Sequence, residues 1–118
     1  MNDNNEKIRK LILSDEFVEY FDTLDERTKN KFDECIKILE NVYIISTKFV
    51  KKLVNTEENL YELRVSVGFN EYRTILFATD HENIIQAKSV IILSGFLKKS
   101  TKDYDKQIKK AINILNTL

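Results

Sequence analysis

Apolar residues recur along this chain with two different periods, and the change from one to the other separates helical from extended stretches. Ile8, Leu11, Ile12 and Leu13 form a short apolar segment that predicts a first strand, ended by Ser14. Ser14 has the side chain of an N-cap, and Asp15 and Glu16 would follow it in the favourable field of a helix N-terminus. Phe17, Tyr20, Phe21 and Leu24 then recur at helical spacing. Asp25 can cap a second helix with the stripe Phe32, Ile36, Leu39 and Tyr43, so the pair predicts an α-hairpin.

Between Tyr43 and Leu60 the pattern loosens. Lys48, Lys51 and Lys52 precede the polar stretch Asn55 to Asn59, and the whole reads as a connection. Tyr61, Leu63, Val65 and Val67 alternate against Glu62, Arg64 and Ser66, the period of a strand with one buried face. Gly68-Phe69-Asn70 supplies turn chemistry, so Tyr72 to Thr79 is expected to return antiparallel. Asp80 to Asn83 turns the chain again. A last strand lies within Ile84 to Ser94, with an irregularity at Ala87-Lys88-Ser89. A final helix starts near Thr101 or Asp103 and carries the stripe Ile108, Ala111, Ile112 and Leu115. Residues 1 to 6 are expected to fray. The predicted fold class is α+β, with a short N-terminal strand, an α-hairpin, a three-stranded antiparallel sheet and a C-terminal helix.

At 118 residues the chain is expected to form one domain, residues 1 to 118, around one core. Its 42% hydrophobic and 32% charged residues are globular in balance. Its unbroken apolar runs, such as Val90 to Leu93, are far below the roughly 20 residues a membrane helix needs, so no membrane association is expected. No apolar leader is visible in MNDNNEKIRK, and a cytoplasmic location follows as an expectation. One cysteine, Cys35, and one histidine, His81, do not make a zinc site, and no metal or cofactor is expected. Cys35 falls on the apolar stripe of the second helix and reads as core; His81 sits in a polar turn.

The formal net charge is zero, yet the charge is unevenly placed. Residues 1 to 43 carry seven Lys/Arg against eleven Asp/Glu, whereas residues 44 to 118 carry twelve against eight. The basic part also holds cations and aromatics at the ends of its strand segments: Leu60-Tyr61-Glu62-Leu63-Arg64, Tyr72-Arg73, and Gly95-Phe96-Leu97-Lys98-Lys99-Ser100. If one face of each strand packs on the core, the cations can gather on the other and hold phosphates. Ordinary surface cations would give the same pattern. With two glycines and no proline, the chain has no glycine-rich phosphate loop.

These motifs, in this order, resemble the RelE/ParE superfamily of bacterial toxins, and within it the phage-derived, HigB-like branch. The resemblance is sharp from Phe49 to Ala111: Phe49-Val50-Lys51-Lys52-Leu53, Tyr61-Glu62-Leu63-Arg64, Tyr72-Arg73, Gly95 to Ser100, and Gln107-Ile108-Lys109-Lys110-Ala111. Two departures stand out. Ser100-Thr101-Lys102-Asp103-Tyr104 replaces the Thr-Pro that commonly precedes the helix, and Ile84 to Ser89 is longer than usual.

The resemblance implies a ribosome-dependent, metal-independent endoribonuclease that cuts messenger RNA. It also implies a cognate antitoxin, usually a helix-turn-helix protein, through which any DNA contact would run. Attack of a ribose 2′-hydroxyl on the adjacent phosphate needs a base, cations and an acid, and here that work falls on Arg, Lys and Tyr. Arg64 and Arg73 are the expected stabilisers of the phosphate, with Lys98 and Lys99 as further catalytic cations. Lys51, Lys52 and Phe96 are expected to bind RNA. Each has a plainer alternative: ion pairs of Arg64 with Glu62 or Glu71, solvated lysines, and Phe96 packed under the last helix. Glu62 reads as a group that orients an arginine. Inhibition of a topoisomerase by binding, in the manner of ParE, and an inactive antitoxin-binding member are the competing functions.

Overall fold

The computed structural model describes residues 7–54 and 56–118. Its elements run β1 (Lys10–Leu13), α1 (Asp15–Asp22), α2 (Glu26–Asn41), β2 (Val50–Lys52), β3 (Leu60–Val67), β4 (Asn70–Ala78), β5 (Ser89–Leu97) and α3 (Thr101–Asn116). The strands form one mixed sheet in the order β1-β5-β4-β3-β2. The expected antiparallel trio β3-β4-β5 is its centre, β1 adds a parallel edge, and β2 adds an antiparallel one. Fraying at residues 1 to 6 and the role of Asn55 lie outside the described residues.

Each helix starts where the side chains predict. Ser14 Oγ accepts from Phe17 N, Asp25 Oδ1 from Thr28 N, and Ser100 Oγ from Asp103 N. Serine at position 100 therefore supplies a working cap. Helix α2 stops at Asn41, two residues before the predicted stripe does, and Tyr43 is exposed. α1 and α2 cover one sheet face, packing Phe17, Phe32, Cys35 and Leu39 on Leu63, Val65, Tyr72, Leu76 and Ile92. α3 covers part of the other, setting Ile108, Ala111 and Ile114 on Leu60, Ile75, Leu93 and Phe96. Full burial of each large apolar side chain is worth about 1.5–3 kcal/mol, so both faces are firmly held.

Three strand expectations change. The stretch expected to be a connection contains β2; its three residues are too few to show a period, and only pairing with β3 makes them a strand. The last strand starts at Ser89 and ends at Leu97 rather than lying within 84 to 94, because residues 84–86 form a turn and 87–88 lead from it into the strand. The irregularity falls not at Ala87-Lys88-Ser89 but at Leu93, where Ile75 pairs with Ser94 and the next residue, Leu76, with Ile92. That extra residue puts Leu93 and Phe96 on the α3 face together and turns Gly95 to the other face. A Cβ on Gly95 would lie 2.8 Å from two ring carbons of Tyr20, so a hydrogen is what this close approach admits.

Arg9 closes the N-terminal end of the fold. It is 0% exposed, and its guanidinium donates to five carbonyl oxygens, of Ile84, Leu39, Val42, Tyr43 and Ile85, at 2.7–3.0 Å. Three of these lie at or just beyond the C-terminus of α2, where orphan carbonyls and the negative end of the helix dipole favour a cation. Burial pulls its pKa below the ordinary arginine value.

Candidate functional site

β3 and β4 pair so that Arg64 stands directly opposite Arg73, which places both on one sheet face together with Glu62, two residues before Arg64. Two guanidinium groups side by side need a carboxylate between them, and Glu62 provides it. Arg64 Nε donates to Glu62 Oε2 at 2.9 Å, while Arg73 Nε lies 3.5 Å from the same oxygen, an ion pair rather than a short hydrogen bond. The other Glu62 oxygen accepts from the hydroxyl of Tyr104 on α3. Glu62 is 4% exposed. Burial, and then the hydrogen bond to Glu62, push the Tyr104 hydroxyl well above the ordinary tyrosine pKa, so it stays protonated at neutral pH.

Over this network opens a cleft of about 680 Å³. Lys51, Lys52, Leu53 and Val54 form one wall, the first half of α3 the other, and Lys98 and Lys99 close the end. Glu62, Arg64 and Tyr104 lie within it. Register explains the grouping. Lys51 pairs with Glu62 and so shares the face of the network, whereas Lys52 pairs with Tyr61. The Lys52 ammonium bonds Asn59 Oδ1 at 2.8 Å and sits 5.3 Å from the centre of the Tyr61 ring, at the cleft's border. Lys98, whose N donates to Glu71 O just past the end of β5, returns to the cleft side.

Five of the seven residues singled out in the sequence, Lys51, Lys52, Arg64, Lys98 and Lys99, thus border one cleft. The other two do not reach it. Arg73 is 5% exposed and spends its guanidinium on Glu62, Glu71 and the carbonyl of Tyr72, so a direct phosphate contact gives way to a supporting position. Phe96 is buried against Tyr104, ring centres 5.9 Å apart at 68°, and has no open face for a base. Packing under α3, the plainer of its two readings, is what the fold selects.

Tyr104 is the residue that the sequence reading missed. Its partner Glu62 lies 42 positions away, but its own place on the stripe with Ile108 and Ala111 was a usable signal that it faces the sheet. Ser66 foremost, with Arg73 behind it, holds the carboxyl of Glu71 below the usual carboxylate range, at the outer end of the same face. Cys35 is buried and burial raises its thiol pKa, as befits a core residue. His81 is exposed in its turn, with Nδ1 accepting from Asn83 N. Among the described residues no three His, Cys, Asp or Glu side chains converge as metal ligands, and no helix is long and apolar enough to cross a membrane. The groups in the cleft act by positive charge and by hydrogen bonds from protonated donors, which suits an anionic occupant with oxygen acceptors.

Comparison with known proteins bears on the family and the fold. The model of the family described as "Phage derived protein Gp49-like" matches residues 19–116. No curated protein matches the chain. Among solved structures, a mutant of the E. coli toxin RelE in its free state superposes with a TM-score of 0.60 at 13% identity, over 87% of this chain and 97% of that one. The archaeal RelE–RelB complex from Pyrococcus horikoshii OT3 matches with a TM-score of 0.54 at 24% identity, over 76% of this chain and 94% of that one. With a family match across most of its length and a sheet and helices that follow RelE, the chain belongs to the phage-derived Gp49-like family and has the RelE fold.

Proposed function

We propose that this protein is the toxin of a type II toxin–antitoxin pair and a ribosome-dependent, metal-independent endoribonuclease acting on messenger RNA. One observation carries the reading: Lys51, Arg64, Lys98 and Lys99, scattered over 49 positions of sequence, border a single cleft with the protonated hydroxyl of Tyr104 inside it. In that cleft Arg64 gives Nε to Glu62 and keeps its terminal nitrogens for the scissile phosphate. Of Lys98 and Lys99, one adds charge to the phosphorane and the other acts as the base that takes the proton of the attacking ribose 2′-hydroxyl, the new O2′–P bond forming as the bond to the 5′-oxygen breaks. Tyr104, once released from Glu62, is the acid of this reading and protonates the departing oxygen. Arg73 acts through Glu62, and Lys51 and Lys52 hold the RNA backbone at the border. The partner is an antitoxin, which the fold shared with the RelE of a RelE–RelB complex supports, and the antitoxin of this reading carries a helix-turn-helix domain.

The test is induced expression of the wild type and of an Arg64→Ala, Lys98→Ala double variant whose folding is checked by circular dichroism. Growth is scored and messenger 5′ ends are mapped on translating ribosomes. Growth arrest with new cuts in the wild type alone is the expected result. Arrest without cuts would replace the nuclease with a topoisomerase-inhibiting protein, and harmless wild-type expression would leave an antitoxin-binding protein only.

A further inference from the structure

Arg64 borders two cavities, not one. Beyond it, away from the cleft, lies a basin of about 640 Å³ to which α2 contributes Lys31 and Glu34, the residues before β2 contribute Lys48, and β3 and β4 contribute Ser66, Glu71 and Arg73. Arg64 N donates to Phe49 O at 2.9 Å, so Lys48 is the neighbour of the residue that Arg64 pairs with. Ser66 is two residues further along β3, about 7 Å away at strand spacing. Cleft and basin are therefore consecutive stations along one edge of the sheet.

Their charges differ in a consistent direction. Six cations face two carboxylates in the cleft, and four face two in the basin. A third hollow of about 540 Å³, which shares Lys31, Glu34 and Ser66 with the basin, sets Arg27, Lys31 and Lys37 against Asp33 and Glu34. In the basin Glu71 is engaged by Ser66 and Arg73. Lys31 and Lys48 are exposed and, among the described residues, have no carboxylate within ion-pair distance, although Glu34 faces the same basin. The attraction for an anion thus extends past Arg64 to these two lysines and fades in the third hollow.

The geometry points to a second RNA-phosphate site in this basin, where the strand leaving the cleft crosses Arg64 and sets its next phosphates between Lys31 and Lys48. This rests on the reading of the cleft as an RNA site and extends it to the length of strand that is held. Single-stranded contacts lower the affinity as salt rises with a slope of about 0.7 per phosphate. Two added contacts make a slope of about 1.4, or roughly a sevenfold change between about 50 and about 200 mM salt.

The probes are single-stranded oligoribonucleotides of three and of nine residues, 2′-deoxy throughout the central positions so that none is cut, with binding followed by fluorescence anisotropy against salt. Wild type should bind the longer strand more tightly and with the steeper slope. A Lys31→Gln, Lys48→Gln variant should lose that increment on the nine-residue strand and match the wild type on the three-residue one, while Arg64→Ala weakens both. An unchanged slope on the longer strand, equal loss on both lengths, or no binding by the wild type at low salt would each overturn the site. Failure of the nuclease reading is seen separately, as wild-type protein that shows the lysine-dependent increment yet makes no cuts on ribosomes.

Discussion

Replacing Glu62 by glutamine should destabilise the protein by about 2–3 kcal/mol, and the figure follows from what surrounds the carboxylate. Removing one partner of a buried ion pair costs about 3–5 kcal/mol, because a buried charge is left uncompensated. Two features lower that here. The Arg64 side chain is 35% exposed and can return to water, and Arg73, at 6%, still has Glu71 at 3.4 Å. Glutamine also keeps an acceptor for the Tyr104 hydroxyl. Urea unfolding followed by circular dichroism should show a lower midpoint with an unchanged slope. A double-mutant cycle sharpens the test: Glu62→Leu with Arg73→Met removes both charges, and the pair should cost less than the sum of the singles by at least about 1.5 kcal/mol. Additivity to within about 0.5 kcal/mol, or a Glu62→Gln cost below about 1 kcal/mol, would refute the view that Glu62 is what allows two arginines to share this face.

Other consequences of the fold are equally open to measurement. Arg9→Lys keeps the charge but offers three donors to five carbonyls, so at least about 3 kcal/mol should be lost, read as a fall in thermal midpoint; a midpoint within error of wild type would refute the clasp. Gly95→Ala forces its methyl against the Tyr20 ring and should cost about 1–3 kcal/mol, with much of it recovered by a smaller residue at position 20; equal costs with and without that second change would refute the contact. Burial, assisted by Tyr72, pushes the Tyr20 hydroxyl up from 10.0 to about 12. Because its folded pKa is the higher, its contribution to stability is complete below pH 10 and is lost as pH rises from there through about 12. Phenolate absorbance of Tyr20→Phe should lack one late-titrating group, and that variant should tolerate alkali better than the wild type.

Local chemistry was legible because it is short-ranged. Ser14, Asp25 and Ser100 cap their helices through bonds to the residue three places on, which is why the first two helix starts could be read from neighbours in sequence, while the third, left between Thr101 and Asp103, falls at Thr101. The stripe of α3 reflects a single buried side, but β3 alternates in chemistry while helices cover both of its faces over Leu60 to Leu63, so the one buried face its period predicts is two. A strand of three residues has no period to read, so β2, and with it the reason Lys51 shares the face of Glu62 while Lys52 stands at the cleft's border, exists only through its pairing with β3.

The decisive features of the site are of that second kind. One bulge residue at Leu93 determines that Phe96 packs under α3 and is closed to a base. The cross-strand register of Arg64 and Arg73 determines that Glu62 lies between them, leaving Arg73 buried and Arg64 part-exposed. Arg9 finds carbonyls up to 76 positions away, and Tyr104 finds Glu62 across 42. The sequence by itself determined the three helices, the central β3–β4 hairpin, the family resemblance and the pool of cations, since these depend on spacing within one segment. Which cations meet, and which are used up in holding the sheet together, was decided by tertiary structure, because a shift of one residue in strand register sends a side chain to the opposite face.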